Sequence, residues 1–279
     1  MTKATNKKES LEILLSTMNR TSLSFLEQIF PEDEYLNYNI LIINQTSPDH
    51  LLESNHDNIR VINAFDKGLT KSRNLAIKNS KGTICLIADD DIKYVKGFKE
   101  IVLNAFKKYN DAGIITFQMV DDRGKLFRAY QDIVKHDKKT ISTANSVVIA
   151  FGKEKVLNKN VWFDPNFGLG SAFETANEYV FLRNALSAGL KLYFEPQIIL
   201  SHDEFSSGQD AGSDKLIFAR SALFYKYSGV LAYLRLGKHL FKLYQLDKIE
   251  LNELGHKLNV GFRGIKQYKR LLSRASEND

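Results

Sequence analysis

A single cysteine, Cys85, is all the chain contains, so no disulfide framework can hold it together. It sits inside an apolar run, where it reads as a core residue, and the shortage of thiols fits a reducing cytoplasm. No apolar run approaches the length of a membrane span, and Met1 to Ser10 are polar and charged where a signal peptide or anchor would be hydrophobic. The expectation is a cytoplasmic protein, peripheral on the inner face of the plasma membrane if it meets a membrane at all. A net positive charge is missing from most of the chain. From Lys215 to Arg274 there are 13 Lys or Arg against Asp247, Glu250 and Glu253, whereas the whole chain carries only +6. A near-neutral body without a recognised nucleic-acid module counts against nucleic acid as a partner. The basic tail calls for something anionic, a membrane surface or nucleic acid, and the membrane surface is the expected one.

What is present can fill a core: 279 residues, 43% hydrophobic, with 18 Phe. That is room for one large domain, or for about 200 residues plus an appendage. The chain is organised around Thr83–Ala88, a strand-like run rich in β-branched and aliphatic residues that ends in Asp89, Asp90 and Asp91. Open α/β sheets bind ligands at the carboxyl ends of their strands. Alternation along an extended backbone would send Asp89 and Asp91 to one side and Asp90 elsewhere. Three adjacent acids repel one another unless a cation joins them, and a divalent ion suits oxygen ligands. Solvated capping acids are the plain alternative.

The flanking segments supply a nucleotide-binding context. Leu11–Ser16 reads as a first strand, followed by Thr17 to Thr21, small polar residues with Arg20 that can hydrogen-bond a nucleotide or simply turn the chain. Leu23 to Phe30 has helical spacing and stops at Pro31, and Asn39–Ile43 is a second strand ending in Asn44 and Gln45, so the segment is a βαβ unit. After a short strand, Ile59–Asn63, a Gly68-initiated helix carries Lys67, Lys71 and Arg73 near its start, where free amides and cations can hold a diphosphate or merely face water. Tyr94 to Tyr109 reads as a helix and Gly113–Val120 as a strand. Asp121 and Asp122, with Gly124 close behind, read as turn residues. Ser146–Phe151 resumes the sheet.

A core strand ending in Thr17-x-Asn19-Arg20, a polar second strand end, a Gly68-x-x-x-x-Arg73-Asn74 helix and a strand ending in Asp89-x-Asp91 together resemble the family 2 glycosyltransferases, over roughly residues 11 to 205. The resemblance implies an α/β fold of the GT-A nucleotide-diphospho-sugar transferase type, a Rossmann-like mixed sheet flanked by helices. The boundaries expected are a flexible lead over 1–10, a catalytic domain over 11–212 and a basic helical extension over 213–279. It also implies inverting transfer of a hexosyl group from a nucleotide-diphosphate sugar, usually a UDP-sugar, with Mn²⁺ or Mg²⁺. The acceptor would be a saccharide or lipid-linked saccharide in surface polysaccharide synthesis, such as that of a capsule.

Residue by residue, the resemblance implies Thr17, Asn19, Arg20, Asn44, Arg73, Asn74, Asp89 and Asp90 around the sugar nucleotide and Asp89, Asp91 and His202 around the metal. A neutral imidazole beside two carboxylates suits Mn²⁺ better than Mg²⁺. Trp162, Phe163 and Gly170 lie in an aromatic, glycine-containing stretch that can stack on an acceptor sugar or pack beneath a loop. The family's acidic pair at the following helix start reads Asn177-Glu178 here, so Glu178 inherits the general-base role. Glu174 and Asp164 are reserve candidates. Many members have an acid at the second strand's end where this chain has Asn44-Gln45, which leaves the base preference open.

Phe205 to Gly212 can form a lid or a linker. Beyond Lys215 the pattern is helical, with Leu216, Leu223, Tyr227, Leu231, Leu234 and Phe241 on one side and Arg235, Lys238 and Lys242 on another. These helices can lie on an anionic leaflet or cap the catalytic domain. Two other readings stay open. The first is a degenerate binder of sugar nucleotides. The second is nucleotidyl transfer, against which the lack of glycine in Thr17–Thr21 counts.

Overall fold

The computed structural model describes residues 9–31, 35–202 and 211–277. The flexible lead expected up to residue 8 and most of the lid expected over Phe205 to Gly212 lie outside the described residues. Two compact units result. One contains the described residues up to Asp164 together with Asn177 to the end of the sheet; the other contains Pro165–Ala176 and the described residues from Ala211 onward. The expected boundary at 212 therefore changes, because the loop 165–176 belongs with the C-terminal helices.

The first unit is built on an eight-stranded sheet of order β3-β2-β1-β4-β7-β6-β8-β5. Its strands are β1 (Leu11–Met18), β2 (Asn39–Gln45), β3 (Ile59–Ala64), β4 (Ile84–Asp89), β5 (Ile92–Tyr94), β6 (Ile114–Val120), β7 (Ile149–Gly152) and β8 (Leu192–His202). β1 pairs in parallel with both β2 and β4, and β2 with β3, whereas β7 runs antiparallel to β4 and β6. Helices α1 (Leu26–Ile29), α2 (Leu69–Asn79), α3 (Phe98–Lys108), α4 (Lys153–Asn158) and α5 (Asn177–Ser187) belong to this unit.

Alternation explains why the central strands read as continuous apolar runs. Ile13, Leu15, Ile40, Ile42, Leu86 and Ala88 face one core with Leu26 of α1 and Phe98 and Val102 of α3. Leu14, Leu41, Ile43, Cys85 and Ile87 face a second core with Ala76 and Ile77 of α2 and Phe181 and Leu182 of α5. A sheet covered on both sides needs apolar residues at every position. Away from the polar carboxyl ends of the strands Glu12 is an exception, buried within β1, where Arg60 donates to it at 2.7 Å and the Gly82 amide at 2.8 Å. A Cβ at Gly82 would lie 2.6 Å from that of Glu12, so this close approach needs glycine.

Three local expectations change. The helix expected from Tyr94 starts at Phe98, and Ile92–Tyr94 is instead a short edge strand paired with β8. The two strands expected over 191–201 are one strand running through Pro196. The register with β6 shifts between Thr116 and Gln118 and passes over the proline, as a bulge permits. The strand expected from Ser146 starts at Ile149, after a 3₁₀ turn over Ser146–Val148. At Asp121–Lys125 the Asp121 carboxylate accepts from the amides of Arg123 and Lys125 at 3.0 and 2.8 Å, which is turn chemistry.

The second unit is helical: α6 (Asp214–Ser228), α7 (Ala232–Gln245) and α8 (Leu254–Glu277). Gly229, at φ 54°, breaks what reads in sequence as one long helix. Its core is Ile217, Leu236, Leu240, Leu243, Ile249 and Val260. Glycines in α8 allow close contact, since a Cβ at Gly264 would lie 2.2 Å from the carbonyl oxygen of Phe218 and one at Gly261 2.4 Å from Leu236. Among the described residues no helix is long and apolar enough to cross a membrane.

Candidate active site

The carboxyl ends of β2, β1 and β4 lie side by side: Thr17 is in register with Asn44 and Ser16 with Asp89. The strand β4 ends at Asp89, and Asp90 and Asp91 form the turn into β5, so extended alternation does not continue through the triplet. Each acid has its own partner. The Asp90 carboxylate accepts from the Thr17 hydroxyl and, at 2.8 Å, from Arg20 Nη2. Asp91 Oδ2 lies 3.3 Å from His202 Nε2. Asp89 accepts from Arg73 Nη2 at 2.9 and 2.8 Å on its two oxygens. Like-charge repulsion is thus relieved by a separate set of partners for each acid, Arg73 for Asp89, Arg20 with Thr17 for Asp90 and His202 for Asp91.

Arg73 is the pivot. Its side chain is 2% exposed, a depth a guanidinium tolerates only when paired. Besides Asp89 it donates from Nη2 to Ser146 Oγ at 3.0 Å and from Nη1 to Asn177 Oδ1 at 2.5 Å, and it lies 5.5 Å from the Phe163 ring centre. Arg73 therefore ties β4 to the turn before β7 and to the first residue of α5, where Glu178 follows. The role expected for it, approach to a diphosphate, does not fit this burial and these partners.

Glu178 is half-buried. Burial raises its pKa above the ordinary carboxylate value, against the lowering effects of a backbone hydrogen bond and of the charges of Arg73 and Arg128. Arg128 hydrogen-bonds Asn145 and leaves Nε buried without a partner. Arg128, Asn145 and Ser146 are site residues that sequence reading missed. Arg128 and Asn145 lie in polar stretches where no spacing marks them, and Ser146 reads in sequence as the start of a strand rather than as a site residue.

Asn44, Asn74 and Phe163 are placed beneath the site rather than in it. Asn44 is fully buried, accepting from the Arg20 amide at 3.0 Å and donating to the Arg20 carbonyl and to Asn63 Oδ1, each at 2.9 Å. It holds the Thr17–Arg20 loop, with Asn19 at φ 53°, and has no group left for a nucleoside. Asn74 is spent on the Phe163 backbone, donating to its oxygen at 2.8 Å and accepting from its amide at 2.9 Å. Phe163 is buried and stacks on Phe181 at 4.2 Å, so its ring offers no free face to a sugar. Trp162 is half-buried and donates to Asn160 Oδ1 at 2.6 Å. Gly170, at φ 76°, and Glu174, paired with Lys215, belong to the second unit. Asn19 is exposed.

Of the expected metal ligands, Asp91 and His202 come together because Ile92 is in register with His202. The hydrogen bond to His202 is the main cause holding the Asp91 carboxyl below its ordinary pKa. The Asp91 side chain is 64% exposed. Asp89 does not join them, since Arg73 takes both its oxygens. Among the described residues no group of three or more His, Cys, Asp or Glu converges. An exposed carboxylate beside an imidazole fits a divalent cation whose other ligands are substrate oxygens and water.

The arrangement has a half-buried carboxylate of raised pKa, cations around it and an acid-rich edge at the ends of parallel strands. It can take a proton from a hydroxyl while holding an anionic leaving group. A family model described as glycosyl transferase family 2 matches residues 12–165. No curated protein matches the sequence. Among solved structures, that of S. aureus TarS 1–349 superposes with a TM-score of 0.59 at 12% identity, covering 92% of this chain and 81% of that one. The complexes of the same TarS segment with UDP-GlcNAc and with UDP superpose over equal shares, with TM-scores of 0.59 and 0.56 at 11% and 13% identity. At such identities the likeness is one of fold, and it is the GT-A fold of a glycosyltransferase. With the family match covering more than half its length, the chain belongs to glycosyl transferase family 2 and is a glycosyltransferase.

Proposed function

We propose that this glycosyltransferase moves a sugar, with inversion, from a UDP-sugar to a hydroxyl of a saccharide or lipid-linked saccharide acceptor in surface polysaccharide synthesis. The observation that carries the reading is Glu178, a carboxylate of raised pKa at the start of α5, in the residue next to the one Arg73 holds. Glu178 accepts the acceptor's hydroxyl proton as that oxygen bonds to the anomeric carbon; the bond from that carbon to the diphosphate breaks, and the nucleoside diphosphate leaves. A single displacement inverts the centre and needs no covalent intermediate on the protein. Arg128, half-buried where Arg73 is fully buried, is the cation suited to the departing diphosphate. Arg73 keeps Asp89, Ser146 and Asn177 in place. Asp91 and His202 would hold Mn²⁺ or Mg²⁺, which when bound neutralises charge on the leaving diphosphate. The TarS complexes with UDP-GlcNAc and UDP support a uridine donor.

The test is hydrolysis or transfer with a panel of nucleotide sugars, with Mn²⁺, with Mg²⁺ and with chelator. Metal-dependent consumption of one donor, abolished by Asp91→Ala and, in transfer, by Glu178→Gln, supports the reading. Failure of every donor to bind overturns it. A second reading, sugar-nucleotide binding without turnover, is favoured by Asp89 being committed to Arg73; binding by calorimetry with no consumption under any acceptor would select it.

A further inference from the structure

The helix α7 has two apolar stripes where packing uses one. Ala232, Leu236, Leu240 and Leu243 are buried in the second unit's core. Roughly a quarter-turn to a half-turn around the helix, at about 100° per residue, lies a second stripe of Tyr233, Leu234, Phe241 and Tyr244, and Val230 is exposed in the 3₁₀ turn just before α7. Val230 is 75% exposed, Leu234 68% and Phe241 59%. Phe262 of α8 continues it, its ring 5.6 Å from that of Tyr233. Isolated exposed apolar residues need no account, but a contiguous set on one face does.

Cations predominate around this stripe, with the acids Asp247, Glu250 and Glu253 beside it only at its Tyr244 end. Arg235, Lys238 and Lys242 follow it around α7, and Arg263, Lys266 and Arg270 share the exposed side of α8 with Phe262. Among the described residues no acid stands within ion-pairing distance of these cations; Asp214 pairs with Lys257 and His256, Glu253 with Lys257, and Glu174 with Lys215.

We propose that this face of α7 and α8 is a membrane-docking surface, on which the helices rest in the plane of an anionic leaflet, with Leu234, Phe241 and Phe262 in the acyl boundary and the surrounding Lys and Arg at the headgroups. In-plane helices bind by this combination of apolar area and basic charge. Long cationic side chains reach the headgroup level while their stems cover apolar surface. A second copy fits the face poorly, because an isologous contact would bring like charges together. Nucleic acid would satisfy the cations but leave the apolar stripe in water.

The test is co-sedimentation of the full chain with vesicles of phosphatidylcholine alone and of phosphatidylcholine mixed with phosphatidylglycerol. Binding to the mixed vesicles only, weakened by salt, is expected. Lys238→Ala and Lys242→Ala should each lower it about fivefold, and Leu234→Ser with Phe241→Ser by on the order of tenfold or more. All four side chains are exposed, so the unfolding midpoint should not move, which separates lost docking from lost folding. As a direct readout, Phe241→Trp should shift its emission to the blue on mixed vesicles and be quenched by brominated acyl chains. Equal binding to both vesicle types, no binding, a concentration-dependent dimer abolished by Leu234→Ser, or binding to duplex DNA without vesicle binding each overturns the proposal. None of these readouts depends on turnover, so failure here leaves the transfer reading untouched, and the reverse holds as well.

Discussion

Replacing Arg73 with Met decides whether that residue serves the fold or the donor. The substitution keeps most of the length and removes the charge. Asp89 then loses both contacts from Nη2, at 2.9 and 2.8 Å, while Ser146 Oγ and Asn177 Oδ1 lose a donor each. Removing one partner of a buried ion pair costs about 3–5 kcal/mol. The Asp89 side chain is 25% exposed, so water recovers part of that. The two unpaired acceptors add about 1 kcal/mol each. The expected loss is about 3–5 kcal/mol, a fall in Tm of roughly 10 °C, followed by far-UV circular dichroism. Adding Asp89→Asn removes the uncompensated charge and should return about 1–2 kcal/mol, a coupling that a double-mutant cycle measures. If Arg73→Met unfolds within about 1 kcal/mol of the native chain while donor KM rises steeply, the reasoning fails and Arg73 is a donor contact.

Glu178→Gln should lower transfer by about 10²–10⁴-fold with little change in donor KM. Because burial raises the Glu178 pKa, and the base works only when ionised, the acid limb of kcat/KM should lie above the ordinary 4.5, with activity lost as pH falls through it; Arg73→Met, by removing a lowering charge, should move that limb further up. Asp91→Asn and His202→Ala should each weaken Mn²⁺ binding in the presence of UDP at least tenfold by calorimetry, whereas Asp90→Asn, which faces Thr17 and Arg20, should change it far less. Gly264→Ala should destabilise the chain by about 2–3 kcal/mol, since its Cβ would meet the Phe218 carbonyl oxygen at 2.2 Å. Gly237→Ala, with nothing within 4 Å on an exposed helix, should stabilise it by about 0.5–1 kcal/mol in the same thermal assay.

The strands of the central sheet were legible because burial on both faces writes itself as unbroken apolar runs: Leu11–Ser16, Asn39–Ile43 and Thr83–Ala88 each fall within a residue or two of β1, β2 and β4. β5 was not legible, since the alternation of Ile92, Lys93 and Tyr94 is too short to mark a strand and its pairing is owed to β8. At the site, sequence named the acids but not their partners. Asp89, Asp90 and Asp91 differ by one position each, yet Arg73, Thr17 with Arg20, and His202 reach them from other parts of the chain. The same limit explains α7. Periodicity marked Leu231, Leu234 and Phe241 as the apolar side, yet the stripe of Ala232, Leu236, Leu240 and Leu243 is the one that packs inward. Gly261 decides, because only a residue without Cβ lets α8 approach Leu236 this closely. Once that stripe is taken by packing, Leu234 and Phe241 are left exposed among the described residues, and theirs is the apolar surface that the proposed docking on an anionic leaflet would cover.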